Sequence, residues 1–296
     1  MSEKPTLIGC DFTSRPTRQK PITVAVVRWL PLDLPTGRSR SVLKTNETLQ
    51  LNEIHRFDNF IDFERFLSTD CAELKGPWVG GFDLPFGLPR ELVQTLCWPL
   101  EWGACVQHYC TLERSQIREI FKDFCANRPS GSKFAHRETD YVANSSPSMK
   151  WVNPPVAYML HAGIPVLIKA NLTLPGIRRG NLKRIGLETY PGILAREIVG
   201  HQSYKSDDKQ KQNSERLLAR EKILKTLAKG DYSLGFKIKT SKAQANQLLE
   251  DASGDSLDAL MCAVQAAWGA KQFEQGNALY GLPSAMDPLE GWILTC

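Results

Sequence analysis

The chain has 296 residues, 42% of them hydrophobic and 23% charged, with a net charge of +5. That is enough apolar material for a substantial core and excludes the composition of an intrinsically disordered chain. No apolar run approaches the ~20 residues that span a bilayer, and the first residues lack the basic-then-apolar pattern of a secretory signal, so the eight cysteines read as reduced thiols in a soluble, cytoplasmic protein.

In chain order, residues 5–12 read as a strand, 14–21 as a basic, proline-containing turn, and 22–30 as a β-branched strand bounded by prolines. Residues 31–41, rich in Pro, Gly, Arg and Ser, read as a loop, and a third strand is expected within 42–56. The chain therefore opens as a three-stranded antiparallel meander. Residues 58–67 have helical spacing, with Phe60, Phe63, Phe66 and Leu67 on one face. Residues 78–83 read as a short buried strand, and a helix is expected from Arg90.

Residues 98–180 are less regular and read as a large insertion, helical at 112–125 and 155–162, that serves as a lid, a substrate platform or an ordinary irregular subdomain. Around its start, Cys97, Cys105, His108, Cys110 and Cys125 could hold zinc, but their spacing matches no familiar zinc pattern, and the cysteines read better as small packed thiols. Regularity resumes with a strand at 183–188 and a helix from Pro191 to Gly200. Residues 201–213 form a polar, Lys/Gln-rich loop. A helix follows at 214–229, stopped by Gly230. Ser241 and Gln244 form a capping box for another, to Glu250. The last long helix runs from Asp255 to about Trp268, and 291–294 reads as a closing strand. Strands interleaved with helices indicate an α/β architecture in one domain, 1–296, with the insertion inside it.

The feature that carries chemistry is a recurrence of acidic residues at the ends of apolar segments. Asp11 closes one strand, Asp83 another and Glu188 a third, while Asp255 and Asp258 open the last helix. Taken singly, each has a simpler reading. Asp11 and Asp83 suit turns. Glu188 suits a cap for the helix near Pro191, and Asp255 with Asp258 suits ordinary helix-start chemistry. Taken together, carboxylates delivered from several elements to one sheet edge make a site for a hard cation such as Mg²⁺ or Mn²⁺.

The order of these residues resembles the ribonuclease H-like superfamily of polynucleotidyl transferases. There three strands open the fold, the first carries an Asp, the fourth a second, and a C-terminal helix the last. Asp255-Ser-Leu-Asp258-Ala-Leu resembles the Asp-x-x-Asp-Ala-Leu of bacterial Holliday-junction resolvases. Jointly with Gly-Phe-Asp-Leu-Pro-Phe-Gly-Leu-Pro (81–89) and Glu-Thr-Tyr-Pro-Gly (188–192), it resembles a family known as predicted RNase H-like nucleases, over nearly the whole chain. The resemblance implies a mixed sheet, three antiparallel strands followed by parallel ones, flanked by helices. It also implies two-metal hydrolysis of phosphodiester bonds. Asp11 would bridge two Mg²⁺ or Mn²⁺ ions, Asp83 would hold one, and Asp258 with Asp255 the other. Glu188 would join them or orient the attacking water.

The expected partner is nucleic acid, DNA or RNA, and not a membrane. Two basic runs are candidates for its backbone: Arg178, Arg179, Lys183 and Arg184, and Lys237, Lys239 and Lys242. Such runs are otherwise solvated faces. Arg137, in the cluster Arg-Glu-Thr-Asp (137–140), is a candidate phosphate contact or part of a solvated loop, and Trp98, Trp102 and Trp151 are stacking or core residues. Two alternatives stand beside the nuclease. One is a non-catalytic binding module on the same fold. The other is an actin-like ATPase or kinase, against which Phe12 stands where a phosphate-loop glycine belongs.

Overall fold

The computed structural model describes residues 4–31, 47–68 and 74–296. The expected loop at 31–41 lies, beyond residue 31, outside them. Strands β1 (Thr6–Asp11), β2 (Ile22–Trp29) and β3 (Thr48–Phe57) form the antiparallel meander. After α1 (Phe60–Ser68), strand β4 (Trp78–Asp83) enters on the other side of β1, parallel to it. The helices α2 (Arg90–Thr95), α3 (Trp102–Thr111), α4 (Arg114–Ala126), α5 (Glu138–Val142) and α6 (Val156–Lys169) follow, then β5 (Leu172–Thr173) and β6 (Asn181–Glu188). The chain continues through α7 (Gly192–Val199), α8 (Ser214–Lys229), β7 (Lys237–Lys239), α9 (Lys242–Glu250) and α10 (Asp255–Glu274). The protein is an α/β structure on a seven-stranded mixed sheet of order β5-β6-β4-β1-β2-β3-β7. Its β1–β2–β3 unit is antiparallel and its other pairings are parallel.

Alternation along the strands sends successive side chains to two cores. Ile8, Cys10 and Phe82 pack with Phe63, Tyr109, Phe121 and Leu160. The insertion therefore supplies one layer of the main core. Leu7, Val79 and Leu187 face the other way, onto α7, α8 and α10.

Helix α10 decides where the acidic residues meet. It is buried around nearly its whole circumference, which is why no clean amphipathic stripe announces its full length in the sequence. Alanines give it a thin surface, and Gly9 and Gly81 let it lie directly on β1 and β4. A Cβ at Gly9 would stand 2.0 Å from the Ala259 carbonyl oxygen, and one at Gly81 2.4 Å from that of Cys262. These are backbone atoms of a packed helix and have little room to give. Gly9→Ala is therefore expected to lower stability by about 1–3 kcal/mol or more and to shift α10, and with it Asp258, off the sheet. Urea denaturation of the variant checks the first effect. A change below about 0.5 kcal/mol, within the range of an ordinary surface substitution, would contradict the close approach.

Three details differ from expectation. Helix α10 continues to Glu274 rather than ending near Trp268. Residues 291–294 do not join the sheet, because Gly291 at φ +70° and Thr295 at φ +71° place the segment between turns; its Leu294 N–H donates to the Glu188 carbonyl at 2.8 Å. The polar stretch 201–213 is not a solvated loop throughout, since Tyr204 is buried. Among the described residues no helix is long and apolar enough to cross a membrane.

Candidate functional site

Asp11 and Asp83 are register partners on adjacent parallel strands, which lie about 4.8 Å apart. Partners in register point to the same face, and residues two apart share it. Gly9 and Gly81 abut α10, so Asp11 and Asp83 both project toward the start of that helix. The helix begins at Gly254, which adopts the left-handed conformation and makes no side-chain cap. Asp255 and Asp258 are therefore not used as caps. They stand in the first turn, where the positive end of the helix dipole favours carboxylates, and Asp258 is fully buried. The structure thus brings Asp11, Asp83, Asp255 and Asp258 to one place at the C-terminal edge of the central strands.

The site is electrostatically crowded. Burial, then the charge of Asp258, then those of Asp255 and Asp83, push the Asp11 carboxyl well above the usual carboxylate range, against the pull of Lys205. Burial first, with Asp258 and Glu188 adding and Lys205 opposing, raises Asp83 to about 7. Asp258 is raised mainly by burial, which Lys205 and Tyr204 offset in part. The Lys205 ammonium and the Tyr204 hydroxyl both donate to Asp258. Lys20 donates to Asp255 and to Asp207, each at 2.8 Å. No described residue donates a hydrogen bond to Asp11 or Asp83.

Lys205, Tyr204 and Lys20 were not among the residues expected from the sequence. Lys20 carried a signal, the basic turn that follows Asp11. Tyr204 and Lys205 carried none, because a polar loop does not declare what it folds onto. Among the described residues no three His, Cys, Asp or Glu side chains are grouped as a ready cation cage. Asp258 is instead turned onto Lys205 and Tyr204.

Glu188 does not join the cluster. Its register partner on β4 is Phe82, not Asp83; it lines the same cavity as Asp83 and its charge acts on Asp83, but Arg137 takes it in a two-pronged ion pair at 2.7 and 3.0 Å. Arg137 is not a solvated phosphate contact. Its side chain is 2% exposed, and its donors go to Asp140, Glu188 and the Glu290 carbonyl. Asp140 is fully buried and also accepts from the Arg137 backbone at 3.0 Å.

The two basic runs lie at the far end of the sheet. Arg184 is level with Trp78, at the start of β4, while Asp83 ends it. Lys237 and Lys239 flank the start of β3, level with the end of β2, whereas Asp11 is level with Thr23 at its beginning. Lys183 sits next to Arg184 on β6, and Lys242 opens α9 beyond β7. Arg178 is spent on the Leu172 carbonyl at 2.7 Å, and Arg179 adjoins it in sequence. Cations toward the acidic edge include Lys20, Lys205, Arg56, which donates to Ser256 at 2.8 Å, and the exposed Arg15 and Arg18 of the turn after β1. The tryptophans pack. Trp102 is buried and donates to the Phe86 carbonyl at 2.7 Å, while Trp98 and Trp151 both sit against Phe121.

A cavity of about 310 Å³ opens beside the cluster, between the sheet edge and the insertion, with Asp83, Lys205 and Thr189 on one side and Val156 and Met159 on the other. A wider depression of about 650 Å³ lies along α9, near Arg56 and Asp251, and does not touch the acidic residues. No family model, no curated protein and no solved structure matches this chain.

Proposed function

We propose that the protein hydrolyses phosphodiester bonds of nucleic acid with divalent cations, Mg²⁺ or Mn²⁺, held by Asp11, Asp83 and Asp258, with Asp255 beside them. The single observation that carries this reading is the Asp11–Asp83 pair: two carboxylates in register on neighbouring strands, with no described donor to either. Like charges so close are tolerable only with a proton or a cation between them, and an all-oxygen donor set suits a hard divalent ion. The resemblance of residues 81–89, 188–192 and 255–260 to the ribonuclease H-like superfamily points the same way.

When bound, such ions lower the pKa of an attacking water and stabilise the leaving oxygen. The chain's own residues have separate tasks. Tyr204 fixes the orientation of Asp258 by its hydrogen bond. Lys205 neutralises Asp258 and offers positive charge to a phosphate beside Asp83. Lys20 holds Asp255. Arg15 and Arg18, exposed on the same edge, are placed for salt-sensitive, sequence-blind contacts with a phosphate backbone. Glu188 stands outside the ligand set and braces the fold.

Incubation with labelled single strands, duplexes, hybrids and branched junctions in Mn²⁺ tests the reading. Cleavage is expected with the native protein and only background with the Asp11→Asn, Asp83→Asn double variant. Undiminished cleavage by the double variant would remove the site assignment. One observation favours a second reading. The Lys205–Asp258 pair lets part of the cluster be neutral without metal, as a module that binds nucleic acid without cutting it requires. Retention of a nucleic acid in EDTA, with no cleavage in Mn²⁺, would select it.

A further inference from the structure

We propose that the cavity beside the acidic edge receives one unpaired nucleotide, its base in the apolar interior and its phosphate at Lys205 and Asp83. This rests on the hydrolytic reading above and narrows its substrate to single-stranded or locally unpaired nucleic acid. The size supports it. At about 310 Å³ the cavity is at the lower end of small-ligand sites. It admits a base and its sugar but not a duplex, so a nucleotide must leave any stack before it can enter.

The polarity supports it as well. Asp83, Lys205 and the paired Arg137 and Glu188 share the lining with an apolar wall that includes Leu84, Pro85, Met159 and Ile293. A nucleotide has the same mixed character, a charged phosphate and a flat ring with a large apolar face. Polar groups for the ring's edge are also in place. Thr189 lines the wall and is 1% exposed, with its hydroxyl against the Cys262 thiol. Ser146 lies on the insertion side of the same cavity, next to Ser145, whose hydroxyl donates to Asp140 at 3.2 Å. Arg137, though part of the wall, is buried between Glu188 and Asp140; Lys205 is also paired, with Asp258, but its side chain is 41% exposed and can meet a phosphate as well.

Extruding a base costs least from a strand that is already unpaired. Single strands are therefore expected to bind more tightly than duplexes of the same sequence.

Met159→Trp and Ser146→Trp each fill the cavity from a half-buried wall position without touching a carboxylate. Binding of a single-stranded oligonucleotide carrying one 2-aminopurine, and of adenosine monophosphate, is measured in Ca²⁺ for the native protein and both variants. Cleavage in Mn²⁺ and thermal melting are run on the same preparations. The native protein is expected to bind the single strand with a rise in 2-aminopurine fluorescence as the base unstacks. Each variant that melts like the native protein is expected to lose about tenfold or more in affinity, a ratio read directly from the two dissociation constants. Tight binding of adenosine monophosphate that either tryptophan abolishes, with no effect on the oligonucleotide, would assign the cavity to a free nucleotide and overturn the strand-borne one. Folded variants that bind and cleave like the native protein would overturn the cavity's role while leaving the hydrolase standing. Tryptophan-sensitive binding with no cleavage by any form would do the reverse.

Discussion

Replacing Arg137 by methionine is expected to lower the stability of the fold by about 3–5 kcal/mol, a large part of what holds a typical domain together. Arg137 is the only counter-charge hydrogen-bonded among the described residues to two fully or nearly fully buried carboxylates, Asp140 and Glu188. Methionine fills much of the volume but leaves both acids without a counter-charge, with the Phe86 N–H on Glu188 and the residue-137 N–H and Ser145 hydroxyl on Asp140 among the neutral donors that remain. Each must then take up a proton or remain charged where water cannot reach it. Arg137→Lys should recover little, because a point-charge ammonium cannot reproduce the fork that meets both carboxylates. Urea denaturation midpoints of the two variants measure the effect, and a loss below about 1 kcal/mol, the scale of an exposed ion pair, would contradict it. The physical consequence reaches the site. Arg137 ties the insertion to the end of β6, and the insertion forms one wall of the cavity.

Asp11→Asn is expected to abolish the proposed hydrolysis and, in the absence of divalent cations, to make the protein more stable at neutral pH. Asp83 titrates at about 7 in the folded protein against an ordinary value of 3.8, and Asp11 is also raised. Between about pH 4 and 7 the folded chain therefore holds protons that the unfolded chain has released. Stability must fall as pH rises through that window, and the Asp83 contribution levels off above it. At about 1.4 kcal/mol per unit, the full Asp83 shift corresponds to at most about 4 kcal/mol. Asparagine at position 11 removes the buried acid that burial, Asp258, Asp255 and Asp83 raise, while Asp83 keeps around it the Asp258, Lys205 and Glu188 that act on it. In EDTA the native protein should be less stable at pH 8 than at pH 5. The variant should show a smaller difference and a higher midpoint at pH 8. A native protein equally stable at both values would show that neither carboxylate is held above its ordinary range.

Much of this arrangement was legible from the sequence, and the failures have identifiable causes. The meander, β4 and the parallel continuation followed from β-branched runs and their punctuation. Asp11 and Asp83 were correctly brought together, since both end strands that pack on α10 through a glycine two residues earlier. Glu188 follows its own Gly186 at the same spacing, yet it pairs with Arg137 instead. Gly186 pairs with Gly80 rather than Gly81, and a shift of one residue between strands reverses every side chain. A single sequence does not encode that register. The basic runs were legible as charge but not as position, because which end of a strand meets the site depends on direction, and they lie at the wrong end. Tyr204 and Lys205 depend on a loop returning to Asp258 across the fold, an interaction with no local pattern.

The most direct test of the central claim, that Asp11 and Asp83 meet to hold a divalent cation, is calorimetric titration of the metal-stripped protein with Mn²⁺. Saturable binding is expected for the native chain, with no detectable heat beyond dilution for the Asp11→Asn, Asp83→Asn double variant. A native protein that takes up no Mn²⁺, or a double variant that takes it up equally well, would contradict the claim.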